Sequence, residues 1–286
     1  LYSSAASDVY KRQVEITDKV YEEILPMLRP GYTEKQVANT MVSKYKEYGD
    51  GEAYSPIVAT GSNGALPHAI PTDREFQKGD FIVIDAAAKY AGYHADMTRT
   101  PVVGEATDRH HEIYAIVKEA QKRGCNTAKA GVSCKAVDAA TRDYIGEMGY
   151  GEHYTHGTGH GLGLEIHTSP RFSPMSTDIL AENNVMTIEP GIYLAGWGGV
   201  RIEDDVIINK DGCEILNKTT KEFEELEFKR MLSANEVSMS AVMTINPGAG
   251  GTEGQDWAEI LMRMYLMWGD KNNYKIRTLN IQKAEP

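Results

Sequence analysis

Cysteine is scarce in this chain of 286 residues: Cys125, Cys134 and Cys213 make an odd count, with no CxxC or zinc-like spacing among them. That excludes a disulfide framework and a thiolate metal site, and makes a reducing cytoplasm the expected setting. Basic residues are outnumbered, 30 Lys and Arg against 41 Asp and Glu, for a formal net charge of −11, which argues against a general nucleic-acid binder. No apolar run approaches membrane-spanning length, and the first residues lack the apolar segment of a signal peptide. No short-period repeat is visible. The length suffices for one sizeable core, or one core plus a small appendage.

The abundant acid includes four carboxylates in strand-like surroundings, Asp85, Asp96, Glu189 and Glu203, joined by one imidazole, His160. Taken singly, an Asp or Glu at a strand end caps a turn or meets solvent, and a histidine packs or lies at the surface. Together the five form a ligand set for a pair of divalent cations. Oxygen-rich ligation favours Mn²⁺, and the single histidine leaves Co²⁺, Fe²⁺ and Zn²⁺ open. Two cations about 3.5–4 Å apart would activate a shared water and polarise a carbonyl, which is hydrolase chemistry.

The spacing is mechanically sensible. Residues 80–88, containing the apolar run FIVID, read as a strand; Gly92-Tyr93 reads as a turn and 94–103 as the return strand. This hairpin would set Asp85 beside Asp96. A second hairpin, 185–194 paired with 199–209 through Gly196-Trp197-Gly198-Gly199, would do the same for Glu189 and Glu203. Val14, Val20, Ile24 and Leu28 suggest a helix ending at Pro30-Gly31, and Thr33 with Gln36 forms a capping-box pattern for the next, to about Tyr48. Further helices are expected over 108–129 and 134–148. The pattern is α+β, with helices backing a curved, largely antiparallel sheet.

The motifs DAAAKYAGYHADMTRT from Asp85, HGTGHGLGLEIH from His156 to His167, IEPGIY around Glu189 and GVRIEDDVII around Glu203 closely resemble the catalytic domain of Xaa-Pro aminopeptidases and Xaa-Pro dipeptidases, pita-bread metallopeptidases. The match runs over about 14–220. One departure is Ala87, where the family usually has glycine; it would tighten the hairpin and removes no ligand. The resemblance implies that Asp96 and Glu203 bridge two metals, that Asp85 completes one ion, and that His160 with Glu189 completes the other. It makes Glu189 the proton shuttle for a metal-bridging water, and His68 (in ALPHAIPTD) and His167 the histidines that contact substrate and stabilise the tetrahedral intermediate. His156 matches a further pocket histidine, and Tyr193 and Arg201 match positions close to the site. His110, His111 and His153 have no such match and are expected at the surface.

The implied activity is hydrolysis of the Xaa-Pro bond at the N-terminus of peptides, with Xaa-Pro dipeptidase (prolidase) as the alternative to aminopeptidase. The implied partners are peptides with proline in second position. Neither nucleic acid nor membrane is expected, and a homodimer is left open. A metal-free binding module of the same fold is disfavoured by the intact ligand set.

Both ends of the chain differ in character from its middle. Ser3 to Gln13, SSAASDVYKRQ, resembles the in-frame translation of a transposase adapter used in preparing sequencing libraries, so residues 1–13 are expected to be a non-native leader, with the metallopeptidase domain over 14–222. Met243 to Asp270 resembles the start of the second domain of bacterial type 2 peptide chain release factors. Residues 223–286 are therefore expected to be a release-factor-like α/β fragment joined between Thr219 and Leu226, as in an assembly of unrelated reads. Its GAGGTEG lacks the Lys-Ser/Thr of a phosphate-binding loop and is not the GGQ of release factors, which disfavours a translation-termination protein. Trp257, Ile260, Leu261, Met264, Tyr265 and Trp268 fall at helical spacing, read as core-facing, and 241–245 and 274–281 read as strand-like.

Overall fold

The apolar stripe that begins the catalytic segment sits on α1 (Ser4–Ile24), and its members Val14, Ile16, Val20, Tyr21 and Ile24 are all buried. The helix continues backwards through the adapter-like residues, where Tyr10 and Gln13 are also buried. It stops at a 3₁₀ turn, Leu25–Met27, short of the expected Pro30-Gly31. Pro26 lacks the N–H that would continue the ladder. A computed structural model provides this description, and it covers residues 4–223, 243–245, 251–271 and 275–277.

The capping box opens α2 (Glu34–Tyr48) as read: Gln36 N–H donates to Thr33 Oγ1 at 3.2 Å and Thr33 N–H to Gln36 Oε1 at 2.9 Å. α3 (Asp108–Thr127) and α4 (Cys134–Glu147) fall within two residues of expectation. His110 corrects the expectation of a surface residue. Its Nδ1 accepts the Thr107 N–H at 3.0 Å, its Nε2 faces Gly79 O at 3.0 Å, and its ring stands edge-on to Phe81. The ring serves as the third-position partner of a helix cap, a role that is rare for histidine and therefore not signalled by motif. His111 and His153 are exposed.

The first sheet has the order β1-β2-β5, from Ile57–Thr60, Ile82–Asp85 and Thr98–Arg99, all antiparallel. β3 (Lys89–Tyr90) and β4 (Tyr93–His94) extend the β2/β5 hairpin. Its turn residues are Ala91 and Gly92, at φ +50° and +82°, one place before the expected Gly92-Tyr93. Both turn positions need positive φ, the conformation that twists with the strands.

A second sheet runs β12-β11-β8-β6-β7, from Cys213–Ile215, Asp204–Ile208, Val185–Ile188, Gly159–Gly161 and Thr168–Phe172. β9 (Gly191–Leu194) pairs separately with β10 (Gly198–Arg201). The long second hairpin is thus real but broken: Ile188 pairs with Asp204 on one side of the break and Gly191 with Arg201 on the other. The break spans Glu189-Pro190 opposite Ile202-Glu203, so both glutamates leave the ladder at the same level. Gly199 has to be glycine, because a Cβ there would lie 2.2 Å from Gly64 O.

One face of the second sheet packs on α3 and α4 through Cys125, Val137, Phe172, Met186, Ile188 and Val206. A larger core joins α1, α2 and α3 to the first sheet and reaches Phe223, whose ring stacks on Tyr114 at 4.5 Å. Ala87 lies fully buried among Val14, Ala95, Ile207 and Leu216, so its methyl fills core space.

The chain divides into two units, Leu1–Glu236 and Val237–Pro286. In the second, α5 (Gly251–Lys271) carries the stripe read as core-facing. Trp257, Ile260, Leu261, Met264, Tyr265 and Trp268 are each at least 37% exposed, which corrects that reading. Among the described residues of that unit no second helix or strand is present to cover the apolar face. Of the two strand-like runs, only 243–245 and 275–277 are described, and they form no strand; the remainder lies outside the described residues. Among the described residues no helix is long and apolar enough to cross a membrane.

Candidate metal centre

The two hairpins meet where Glu203 N–H donates to Thr98 O at 3.1 Å and Thr98 Oγ1 donates to Glu203 Oε2 at 2.6 Å. This joint brings ligand atoms of Asp85, Asp96 and Glu203 within 4.8 Å of one another. From the far side, His160 Nε2 lies 3.5 Å from Asp96 Oδ2 and 3.4 Å from Glu189 Oε1. The five residues therefore form two groups of donors that share Asp96. His160 Nδ1 faces Gly161 O at 3.1 Å and carries the proton, so Nε2 presents its lone pair to the carboxylates. Gly159 lets His160 approach: a Cβ at Gly159 would meet Thr187 O at 2.0 Å. Thr187 Oγ1 in turn accepts His160 N–H at 3.0 Å and donates to Glu189 Oε1 at 3.1 Å.

The electrostatics of the cluster ask for a cation. Burial, then the neighbouring Asp85 and Glu189 charges, push the Asp96 carboxyl well above its usual range. Burial and then Asp96 do the same to Glu203. Glu189 is pushed up to about 7, mainly by burial. The histidines move the other way: burial lowers His160 to about 4 and His156 to about 3, and lowers His167 as well. Neutral imidazole and crowded carboxylates suit hard-to-borderline divalent ions in donor type and in charge.

For the chelated chain the sign follows from these shifts. Raised carboxyls stabilise the fold while protonated, and that contribution is lost as pH rises through their folded pKa values. The depressed histidines act oppositely, but their contribution changes only below the ordinary value of 6.5. Above pH 6.5 the site histidines no longer contribute, so the Tm of EDTA-treated protein should fall as pH rises through the raised carboxyls, while saturating Mn²⁺ should abolish the decline. A flat or rising apo profile over that window, followed by scanning calorimetry, would contradict the charge assignment.

Arg201 binds the opposite rim. Nη2 donates to Asp85 Oδ2 at 2.6 Å, Nη1 to Tyr193 Oη at 2.7 Å and to Pro67 O at 3.2 Å, and Nε to Thr98 Oγ1 at 3.0 Å. Tyr193 Oη also meets His156 Nε2 at 2.8 Å. His167 stands edge-on to His160, with centroids 4.4 Å apart. His68 is exposed on the loop between β1 and β2, one residue after the Pro67 carbonyl that Arg201 holds.

Several residues of this site carry no motif of their own. Tyr54 Oη lies between the two aspartates, within hydrogen-bonding distance of Asp85 Oδ1 and 2.5 Å from Asp96 Oδ1, its one proton serving either carboxylate; it lies 31 residues upstream of Asp85, with no local signal. Thr98 and Arg99 stand within DMTRT, and Asp204 and Asp205 follow Glu203 directly, so adjacency to the ligands was the available clue. Asp205 Oδ2 accepts Asp96 N–H at 3.0 Å. Arg99, fully buried, donates to Asp204 Oδ1 at 2.7 Å, Glu203 O at 2.5 Å and Thr219 O at 2.8 Å.

Residues 8–210 match metallopeptidase family M24. The chain belongs to that family. Residues 200–286 match the PCRF domain, in keeping with the release-factor resemblance. An Xaa-Pro dipeptidase of Pyrococcus horikoshii is 42% identical over 215 residues, covering 75% of this chain and 61% of the relative. Among solved structures, an Xaa-Pro dipeptidase from Bacillus anthracis superposes with a TM-score of 0.76 at 43% identity, covering 78% of this chain and 63% of the other. An X-Pro aminopeptidase from Thermotoga maritima gives 0.75 at 41% identity, covering 78% and 63%. The chain thus spans about three-fifths of the length of the curated relatives it matches. The architecture is the M24 pita-bread fold, and the carboxylate cluster occupies the joint between its two hairpins.

Proposed function

We propose that this M24 chain hydrolyses the Xaa-Pro bond at the N-terminus of peptides with two divalent ions, Mn²⁺ ahead of Co²⁺, Fe²⁺ or Zn²⁺, held by Asp85, Asp96, His160, Glu189 and Glu203. The observation that carries the reading is the pair of donor groups sharing Asp96. When bound, the ions supply Lewis acidity toward a water and toward the scissile carbonyl. Glu189, which shares a donor group with Asp96 and His160, would take a proton from the attacking water and return it to the leaving nitrogen. His68 and His167 donate to the developing oxyanion. Arg201 neutralises Asp85 and, through Tyr193, orients His156 toward the substrate. The setting proposed is cytoplasmic.

Release of the first residue from Ala-Pro-Ala should exceed release from Ala-Ala-Ala by about 10²-fold or more, as a dedicated pocket for the imide would require. Equal rates would sink the proline reading. Ala-Pro against Ala-Pro-Ala then separates dipeptidase from aminopeptidase, the second being the first choice.

The release-factor-like segment takes no part in this reaction. Because Lys221 pairs with Asp204 and Phe223 stacks on Tyr114, the informative truncation is after Phe223. It should leave kcat/KM unchanged within about twofold, since no group placed in the site is lost. A large loss with metal content retained would give the tail a role in the enzyme.

A further inference from the structure

The loop that carries His68 is anchored by a single buried carboxylate that belongs to another part of the fold. Glu34, the first residue of α2, is fully buried. Its Oε1 accepts Thr60 N–H at 2.7 Å; its Oε2 accepts Thr72 N–H at 2.8 Å, Thr72 Oγ1–H at 2.7 Å and Asn63 Nδ2–H at 2.9 Å. These donors lie before, within and after the stretch containing His68. Arg74 and Asp80 reinforce the same base, with Arg74 Nη1 donating to Asp80 Oδ2 at 2.6 Å and Thr60 Oγ1 to the same oxygen at 3.0 Å. At the outer part of the loop, Arg201 holds Pro67 O. The segment is therefore tied at its base by Glu34 and beside His68 by the arginine that also holds Asp85.

We infer that Glu34 is a positioning residue for His68: by closing the base of the 60–72 loop it sets where that imidazole stands beside the Pro67 carbonyl that Arg201 holds. The role given to His68 rests on the Xaa-Pro reading; the anchoring does not. The chemistry requires a carboxylate. All four partners are donors, and an amide at position 34 can accept at only one of its two terminal atoms. Whichever way it is turned, its NH₂ opposes either the Thr60 N–H or the Thr72 pair, donor against donor. Glu34→Gln thus preserves volume while releasing one end of the loop.

The test uses the full chain loaded with Mn²⁺. Glu34→Gln is expected to lower kcat on Ala-Pro-Ala about tenfold with little change in KM and no change in metal content, and to cause no further loss in a His68→Ala background. Equal fractional losses in both backgrounds would overturn the proposal, because Glu34 would then act independently of His68. Should Glu34→Gln fail to fold, Thr72→Val removes one donor and Thr72→Ser keeps it; the proposal requires loss with valine and recovery with serine, and identical behaviour overturns it. Amide hydrogen exchange keeps this inference apart from the functional reading. If the wild-type chain hydrolyses no Xaa-Pro peptide, that reading fails by itself. Faster exchange confined to 61–73 in Glu34→Gln then supports the anchoring, and unchanged exchange overturns it.

Discussion

Asp96→Ala is expected to strip the chain of divalent metal and of peptidase activity together, because Asp96 is the one residue present in both donor groups. Loss of a group that merely supports a ligand typically costs 10–100-fold in metal affinity; loss of a shared ligand should exceed that, at about 10²-fold or more. Thr98→Val provides the scale, since Thr98 offers no ligand atom of its own and its hydroxyl supports the site through hydrogen bonds with Glu203 Oε2 and Arg201 Nε; its effect should fall within that 10–100-fold range. Elemental analysis of dialysed protein and calorimetric Mn²⁺ titration would measure both. Two ions retained by Asp96→Ala at unchanged affinity would remove Asp96 from the ligand set and with it the shared-donor reading.

Asp204→Ala should produce the largest loss of stability. Arg99 and Asp204 are both fully buried, and Gln121 Nε2 and Lys221 Nζ also donate to Asp204 Oδ2. The neighbouring cations hold the Asp204 carboxyl low against the opposing push of burial. Removing it leaves the Arg99 guanidinium uncompensated among neutral carbonyls, a change that costs about 3–5 kcal/mol for a broken buried pair. Urea unfolding of the chelated protein, followed by tryptophan fluorescence at Trp197, would read it without a contribution from metal. Because Arg99 also donates to Glu203 O, the same variant should bind Mn²⁺ more weakly. A destabilisation under about 1 kcal/mol would mean that the site relaxes enough to hydrate the arginine.

The apo chain and the loaded chain are electrostatically different molecules. Without cations, burial and then neighbouring carboxylates raise Asp96, Glu189 and Glu203, so protons compete with metal for the same oxygens. Metal affinity should therefore increase with pH over the window in which apo stability declines.

By itself the sequence determined the hairpins, the helices flanking them and the five proposed ligands. Each is written in local terms: a continuous apolar run that ends in Asp85 and another that follows Glu203, a capping box at Thr33, and a glycine before His160 where a Cβ would strike Thr187 O. It also carried the resemblance of the C-terminal segment to release factors. Tertiary structure alone decided which polar residues converge on those ligands. Tyr54 reaches two aspartates across a separate loop, Arg99 gathers carbonyls about a hundred residues away, His110 turns inward to cap its own helix, and Glu34 closes a loop it does not adjoin. The division has a physical reason. Secondary structure follows short-range steric and apolar periodicity, which a sequence window contains. A buried polar group takes whatever partner the packed chain brings within about 3 Å, and that partner's position in sequence is unconstrained.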